Sequence, residues 1–429
     1  MTRKIILIFI LFFGVVNAEN TITVSKAVKM AIKNNHKLNE NRQKVKEAYW
    51  SRWEARSNHI PTVKLGYTKL RNDEETVIPA GMFGPQPVVI QPLETGSQSV
   101  DVTVPLFTGG AIFSGSKIAG TSYKMQKLSY QENEEMTKAS TIEAYYNVVR
   151  IKGIVDITED TKKLIDENIR MTKKMYNIGM VEKKDLLKAE VSSIEIDQQL
   201  LSAKQGLEIA KSSLNILIGK PINNSFEFDE NIPDVKFDKA EKEIIKHAKE
   251  NRANYQSLLM TEKIAKWGVR ASRGEYFPSV AGVWHWEKSD AESMFSRSES
   301  WRVMLNVSYE IPLGLGNIAR VQKAKAKLRQ SEEVIGQVET GLEMELKSNL
   351  LNYNLSEEKL TLSSKQVKAS KENYEAVEAN YKSGNSNQIE LTDARNSYSN
   401  SQIKLIATKI DCYISYIKLL QSCGYEINI

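Results

Sequence analysis

Four histidines (His36, His59, His247, His285) and two cysteines (Cys412, Cys423) are this chain's whole supply of imidazole and thiol. No two stand at metal-ligand spacing, and the chain contains no nucleophile elbow, P-loop or glycine-rich dinucleotide fingerprint. The expectation is a protein that is not an enzyme and that carries no metal or cofactor. Cys412 and Cys423 are eleven residues apart in a helical stretch, ~16 Å along the axis, which is too far for a disulfide; they read as packed thiols. Met171, Met175 and Met180 cluster in sequence, but methionine on a helix usually fills space. The titratable groups with informative spacing are acids. Glu390 and Asp393 are three apart, so they share a helical face, and Glu390 lies near a helix start where the dipole favours it. By themselves they read as solvated helix acids. Asp185, by contrast, sits among Lys183, Lys184 and Lys188.

These acids belong to a duplicated pattern. Tyr176, Gly179, Leu186 and Ala189 return 205 positions later as Tyr381, Gly384, Leu391 and Ala394, with Asp185 matched by Glu390. Val104-Pro105-Leu106 and Gly109 return 207 later as Ile311-Pro312-Leu313 and Gly316, and Ala31, Asn34, Trp50, Arg56 and Pro61 return 217 later. Such a period marks two copies of one structural unit. The shift in offset puts about ten extra residues between Pro61 and Pro105, in a Pro- and Gly-rich stretch that reads as a lengthened loop.

The elements that carry these residues are long. From about Ile112 to Ile178 and Ile318 to Ser383 the chain lacks proline and has helical spacing, so each helix should reach ~100 Å. Val321, Leu328, Ile335 and Leu342 form a heptad row, with Ala324, Ser331 and Val338 as a smaller second row. Gly179 and Gly384 suit the left-handed residue that stops a helix. Return helices follow, about Lys184 to Leu217 and Glu390 to Gln421, and each copy opens with a helix, about Val24 to Ser57 and Lys239 to Ser272.

Between opening and long helices lie alternating strands. Val63, Leu65 and Tyr67 alternate with Lys64, Gly66 and Thr68; Val100, Val102 and Val104 with Ser99, Asp101 and Thr103. In the second copy Val280, Trp284 and Trp286 oppose His285 and Glu287. The row Trp301, Val303, Leu305, Val307, Tyr309, Ile311 opposes Arg302, Met304, Asn306, Ser308 and Glu310. Period-two alternation with aromatic residues on the apolar side fits a membrane strand with lipid on one face and water on the other. A soluble hairpin on a core has the same alternation. In lipid a sheet must close, and four strands are too few, so several chains would have to contribute strands to one barrel, of which three would give twelve.

Arg3 and Lys4 precede an apolar run, Ile5 to Val16, that ends in Val16-Asn17-Ala18. This is the pattern of a secretory signal peptide cleaved after Ala18, and the run is shorter than the roughly 20 residues of a spanning helix. No cysteine follows it, so N-terminal lipidation is not expected. The net charge of +6 becomes +4 when Arg3 and Lys4 leave; no nucleic-acid surface is indicated.

The signal, the duplicated order of helix, Pro-led hairpin and long helix, and the turn Tyr-x-x-Gly-x-x-x-x-x-(Asp/Glu)-Leu together resemble the TolC family of bacterial outer-membrane efflux and secretion ducts. The resemblance covers the mature chain. It implies a mostly α fold with membrane β, in which duplicated helix-hairpin-long helix units form a trimeric twelve-stranded outer-membrane β-barrel continuous with a periplasmic α-helical barrel. The expected divisions are a signal at 1–18, a first repeat at 19–220 with strands about 62–70 and 97–105, an equatorial linker at 221–237, and a second repeat at 238–429 with strands about 279–287 and 300–311. Family membership implies outer-membrane lipid around a homotrimer, with a periplasmic adaptor (membrane fusion) protein and an inner-membrane pump as partners and small molecules as exports. Service in type I protein secretion, and a non-pore periplasmic coiled-coil scaffold, are the alternatives. Position by position, the family's periplasmic gate falls on Glu390, Asp393, Tyr381 and Asp185, and adaptor docking on the turns bearing Tyr176, Gly179 and Gly384. Ser386 stands where a basic residue is common in that family, which implies a weaker or differently built closing network.

Overall fold

The computed structural model describes residues 21–82, 84–85, 87–290, 298–311 and 314–427. The expected signal peptide, and Pro312-Leu313 of the repeated motif, lie outside them. A short strand β1 (Thr21–Ile22) leads into helices α1 (Val24–Asn34) and α2 (His36–Ser57), then strands β2 (Thr62–Arg71), β3 (Thr76–Ile78), β4 (Val88–Gln91) and β5 (Glu94–Thr108). Helices α3 (Ala111–Asn177) and α4 (Lys183–Leu217) complete the first copy. The second copy follows β6 (Glu227–Phe228): helices α5 (Glu241–Asn251) and α6 (Ala253–Gly274), strands β7 (Ser279–Ser289) and β8 (Glu299–Ser308), then helices α7 (Gly316–Lys382) and α8 (Gln388–Cys423).

Both long helices have 67 residues, about 100 Å each. The heptad row on α7 is buried at Val321 and Leu342 and half-buried at Leu328 and Ile335. Three expectations need correction. Each opening helix is broken at the same repeat position, Asn35 and Arg252, where the backbone turns extended. Asn35 explains the first break: its side chain accepts the Leu38 N–H at 3.1 Å and donates to the Leu217 carbonyl at 3.2 Å, a cap that competes with helix continuation. The strand expected to reach residue 311 ends at Ser308. The lengthened loop carries the antiparallel pair β3 and β4.

Chain contacts divide the protein into two compact units, and neither is a repeat. One comprises residues 1–40, 133–252 and 343–429, the other 41–132 and 253–342, so each draws on both copies. In the first, Tyr145, Tyr146, Ile142 and Leu214 centre a buried cluster. The Tyr145 hydroxyl lies 2.8 Å from the Ile22 carbonyl and 2.9 Å from that of Asp229, and the Tyr146 hydroxyl donates to Asn231 at 3.3 Å. The inter-repeat segment is thereby held on α3, and β1 pairs with β6 in parallel. Burial pushes the Tyr145 phenol up to about 12, so it stays a neutral donor. Cys412 and Cys423 are buried free thiols.

Besides the β3-β4 pair, the second unit holds a four-stranded antiparallel sheet in the order β2-β5-β7-β8. Its register sorts the side chains. Val63, Val102, Trp284 and Val303 form one transverse row and Leu65, Val100, Trp286 and Trp301 the next, while Lys64, Asp101, His285 and Arg302 line up on the opposite face. His285 Nδ1 is 2.6 Å from Asp101 Oδ1. The apolar face is exposed along its edge strands, where Val63, Leu65, Val303 and Leu305 are 63 to 77% exposed, and half-buried at Val100, Val102 and Trp286 of the inner strands. The helix-joined ends of β5, β7 and β8 are in register at one end of the sheet, Thr108 beside Ser279 and Ser279 beside Ser308, and β2 starts toward the same end with Thr62 opposite Thr103.

Candidate functional site

The repeated turns lie in the first unit and are built alike. At the end of α3 the Gly179 N–H reaches the Tyr176 carbonyl at 3.0 Å and Met180 N–H reaches Met175 at 2.9 Å; at the end of α7 Gly384 reaches Tyr381 at 3.1 Å and Asn385 reaches Asn380 at 2.8 Å. These paired bonds satisfy the orphan carbonyls of a helix end and need a left-handed residue, which the glycines supply at φ 75° and 81°. No atom lies within 4 Å of a Cβ built on either glycine, so the turns are open to solvent in the single chain.

The helix starts beyond the turns differ. Asn387 caps α8, accepting the Glu390 N–H at 3.0 Å, and its amide donates back to Glu390 Oε1 at 2.9 Å; the Ser386 hydroxyl donates to Oε2. Glu390 is thus pinned by its own turn through Asn387 and Ser386. Asp393, one turn on, is exposed. Glu182 begins α4 without a side-chain cap bond, and Asp185 is half-buried beside exposed Lys183, Lys184 and Lys188.

The two repeat-matched tyrosines part company. Tyr176 is 38% exposed whereas Tyr381 is 3% exposed, inside a cluster with Tyr374, Leu391 and Ala394. The Tyr381 hydroxyl meets Thr172 Oγ1 at 3.0 Å, joining the second copy to the first. Asp185 acts on Tyr381 by charge: burial raises the phenol pKa and the carboxylate adds to the rise, while the Thr172 bond opposes it.

Sequence reading missed Arg395. It follows Leu391 by four and precedes Tyr398 by three, a core-facing position in a helical period. The structure buries it to 3% exposure, with Nε and Nη2 lacking any hydrogen-bond partner, and burial lowers its pKa. A cavity of about 220 Å³ lies against it, lined also by Glu167, Glu378 and Lys382 and by Leu164, Asn168, Met171, Tyr374 and Leu391. Asn168 Nδ2 and Gln388 Oε1 are likewise buried and unpaired. A guanidinium buried without a hydrogen-bond partner costs free energy, so Arg395→Met is expected to stabilise by roughly 1 kcal/mol or more and raise the thermal midpoint; a lowered midpoint would show that Arg395 finds an acceptor, from Glu167 or Glu378 across the cavity or from the assembly.

Among the described residues no group of three or more metal-ligating side chains comes together, and no helix is long and apolar enough to cross a membrane. The apolar sheet face is the membrane-compatible surface, and in both copies a 67-residue helix ends in a glycine turn and a return helix. A family model for outer membrane efflux proteins matches residues 27–220 and 244–425, and the chain belongs to that family. Over 315 residues it is 19% identical to outer membrane protein TolC of Escherichia coli K12, covering 70% of this chain but 64% of that protein's length. It is 20% identical to outer membrane efflux protein BepC of Brucella suis, covering 94% and 85% of the two chains. The fold matches the CmeC outer membrane channel of Campylobacter jejuni (TM-score 0.83, 16% identity, 95% and 86% covered). It also matches the open state of the MtrE outer membrane channel of Neisseria gonorrhoeae (TM-score 0.79, 18% identity, 94% and 89% covered). The protein is accordingly an outer-membrane protein of the efflux family.

Proposed function

We propose that this chain is the passive exit duct of a tripartite efflux system: a homotrimer whose sheets close into a twelve-stranded barrel and whose long helices form a periplasmic tunnel. An inner-membrane pump supplies the energy and a periplasmic adaptor joins the two. The observation that carries this reading is the four-stranded sheet, with one apolar face, one charged face, and β2 and β8 at its open edges. In lipid those edges cost several kcal/mol for each unpaired group, and pairing β8 of one copy with β2 of the next removes the cost. Deleting the gene should raise cellular accumulation of small toxic compounds, with rescue by the intact chain. Unchanged accumulation together with loss of a secreted protein would assign the duct to protein secretion, and a soluble monomer with full strand content would refute the barrel.

In this reading the turns bearing Tyr176, Gly179 and Gly384 are the adaptor-docking tips, which their open surroundings support. The Tyr381 to Thr172 contact, with Asp185 beside it, holds the periplasmic gate. Glu390 and Asp393 share an exposed helix face, so threefold symmetry stacks two rings of three carboxylates there. Such rings attract cations and repel anions, increasingly so at low salt, although Lys183, Lys184 and Lys188 offset part of the field. Single channels in planar bilayers should prefer cations moderately and be blocked by multivalent cations from the periplasmic side. Glu390→Gln with Asp393→Asn should abolish the block; persistence of wild-type selectivity and block would place these acids away from the constriction.

A further inference from the structure

The positive charge of this protein is concentrated where its helices meet the sheet. Residues 49–60, 111–130, 263–278 and 316–330, which flank the helix-joined ends of β2, β5, β7 and β8, contain fourteen lysines and arginines against two acids, Glu54 and Glu275. Their balance of +12 exceeds the +6 of the whole chain, so the remainder is net acidic. Two of these cations have an acidic partner, Arg320 with Glu275 and Lys266 with Glu262. Others rest on aromatic rings instead: Arg56 over Trp53 at 5.5 Å, Arg270 over Trp267 at 4.4 Å, Lys117 over Phe113 at 5.2 Å and Arg52 over Tyr123 at 5.6 Å. Two of these rings are exposed, Trp53 at 47% and Phe113 at 51%, as is neighbouring Trp50 at 66%, while Trp267 and Tyr123 are half-buried. The pattern occurs in both copies, since Trp50 and Arg56 correspond to Trp267 and Arg273.

We propose that this belt binds the anionic phospholipid headgroups of the membrane leaflet facing the helices. The inference rests on the sheet lying in the bilayer. The apolar rows from Val63 to Val303 and Leu65 to Trp301 would then meet hydrocarbon, and the helix-joined strand ends would meet the headgroup level. Solvated cations along a water-filled passage have no need of exposed tryptophan, whereas tryptophan beside arginine is the composition of a membrane interface. A guanidinium supported by a ring keeps its outer N–H groups free for charge-assisted bonds to phosphate. Each basic residue near an anionic surface contributes an attraction that falls off within a Debye length.

The test uses the full-length assembly in mild detergent, each preparation first shown to be the membrane-inserted oligomer; failure at that step would sink the barrel reading and this inference with it, whereas the lipid responses that follow test the belt alone. Phosphatidylglycerol is expected to raise the thermal midpoint where phosphatidylcholine does not, with the effect shrinking as salt rises. Arg56→Gln with Arg270→Gln and Arg273→Gln should weaken the apparent affinity for phosphatidylglycerol on the order of tenfold or more. Arg170→Gln with Lys174→Gln and Lys382→Gln, an equal loss of charge near the turns, should leave it unchanged. An equal response to both lipids, or an equal response in the belt variant, would overturn the proposal. So would a belt variant that keeps its lipid response but shifts the reversal potential, because the belt would then line the conducting path.

Discussion

Replacing Gly109 by alanine should prevent the sheet from joining α3 correctly and sharply reduce the amount of membrane-inserted protein. Gly109 has φ 61°, and a Cβ there would lie 2.0 Å from the backbone oxygen of Gly274, at the end of α6. The left-handed conformation costs a non-glycine residue roughly 1 to 2 kcal/mol, and forcing backbone apart adds roughly 1 to 3 kcal/mol or more. Neither obstacle is a side chain that can swing away. Gly274→Ala should do similar harm by contact alone, since its Cβ would lie 2.6 Å from the Gly109 oxygen. Gly110 supplies the control: its φ is 82°, yet nothing lies within 4 Å of its Cβ, so Gly110→Ala should cost only the conformational part. The measurement is the thermal midpoint and yield of the assembled protein. Equal tolerance of alanine at Gly109 and Gly110 would mean that the close approach to Gly274 does not persist in the assembly.

Leu305→Arg should impair assembly strongly, and Asn306→Arg, its chain neighbour, should not. Leu305 lies on the face shared by Val63, Val102 and Trp284, opposite Gly282, and is 67% exposed; Asn306 pairs with Ala281 on the other face. With hydrocarbon against the first face, an arginine near the membrane midplane costs roughly 2 to 4 kcal/mol, while the water-facing position bears little cost. Heat-resistant oligomer recovered from the membrane fraction reads the difference. Equal recovery of both variants would show that the alternation does not separate lipid from water.

The duplication, the reach of the long helices, the helix-stopping glycines and the two-faced strands were all determined by the sequence alone. Each is a local periodicity, and burial on one side of an element imprints its period on consecutive residues. What required partners distant in the chain was decided only by the tertiary structure. The breaks at Asn35 and Arg252 interrupt stretches whose own spacing favours continuous helix, and Asn35 is turned by a carbonyl at Leu217. Tyr176 and Tyr381 occupy equivalent positions in two matching motifs, yet one is exposed and the other meets Thr172, because the duplicated segments have different neighbours. Glu390 and Asp393 have similar local signals, but only Glu390 is tied into a cap by Asn387 and Ser386. The burial of Arg395 and the contact of Gly109 with Gly274 leave still less local trace. A lone charge or a glycine has no period, and its meaning comes from which atoms the folded chain brings against it.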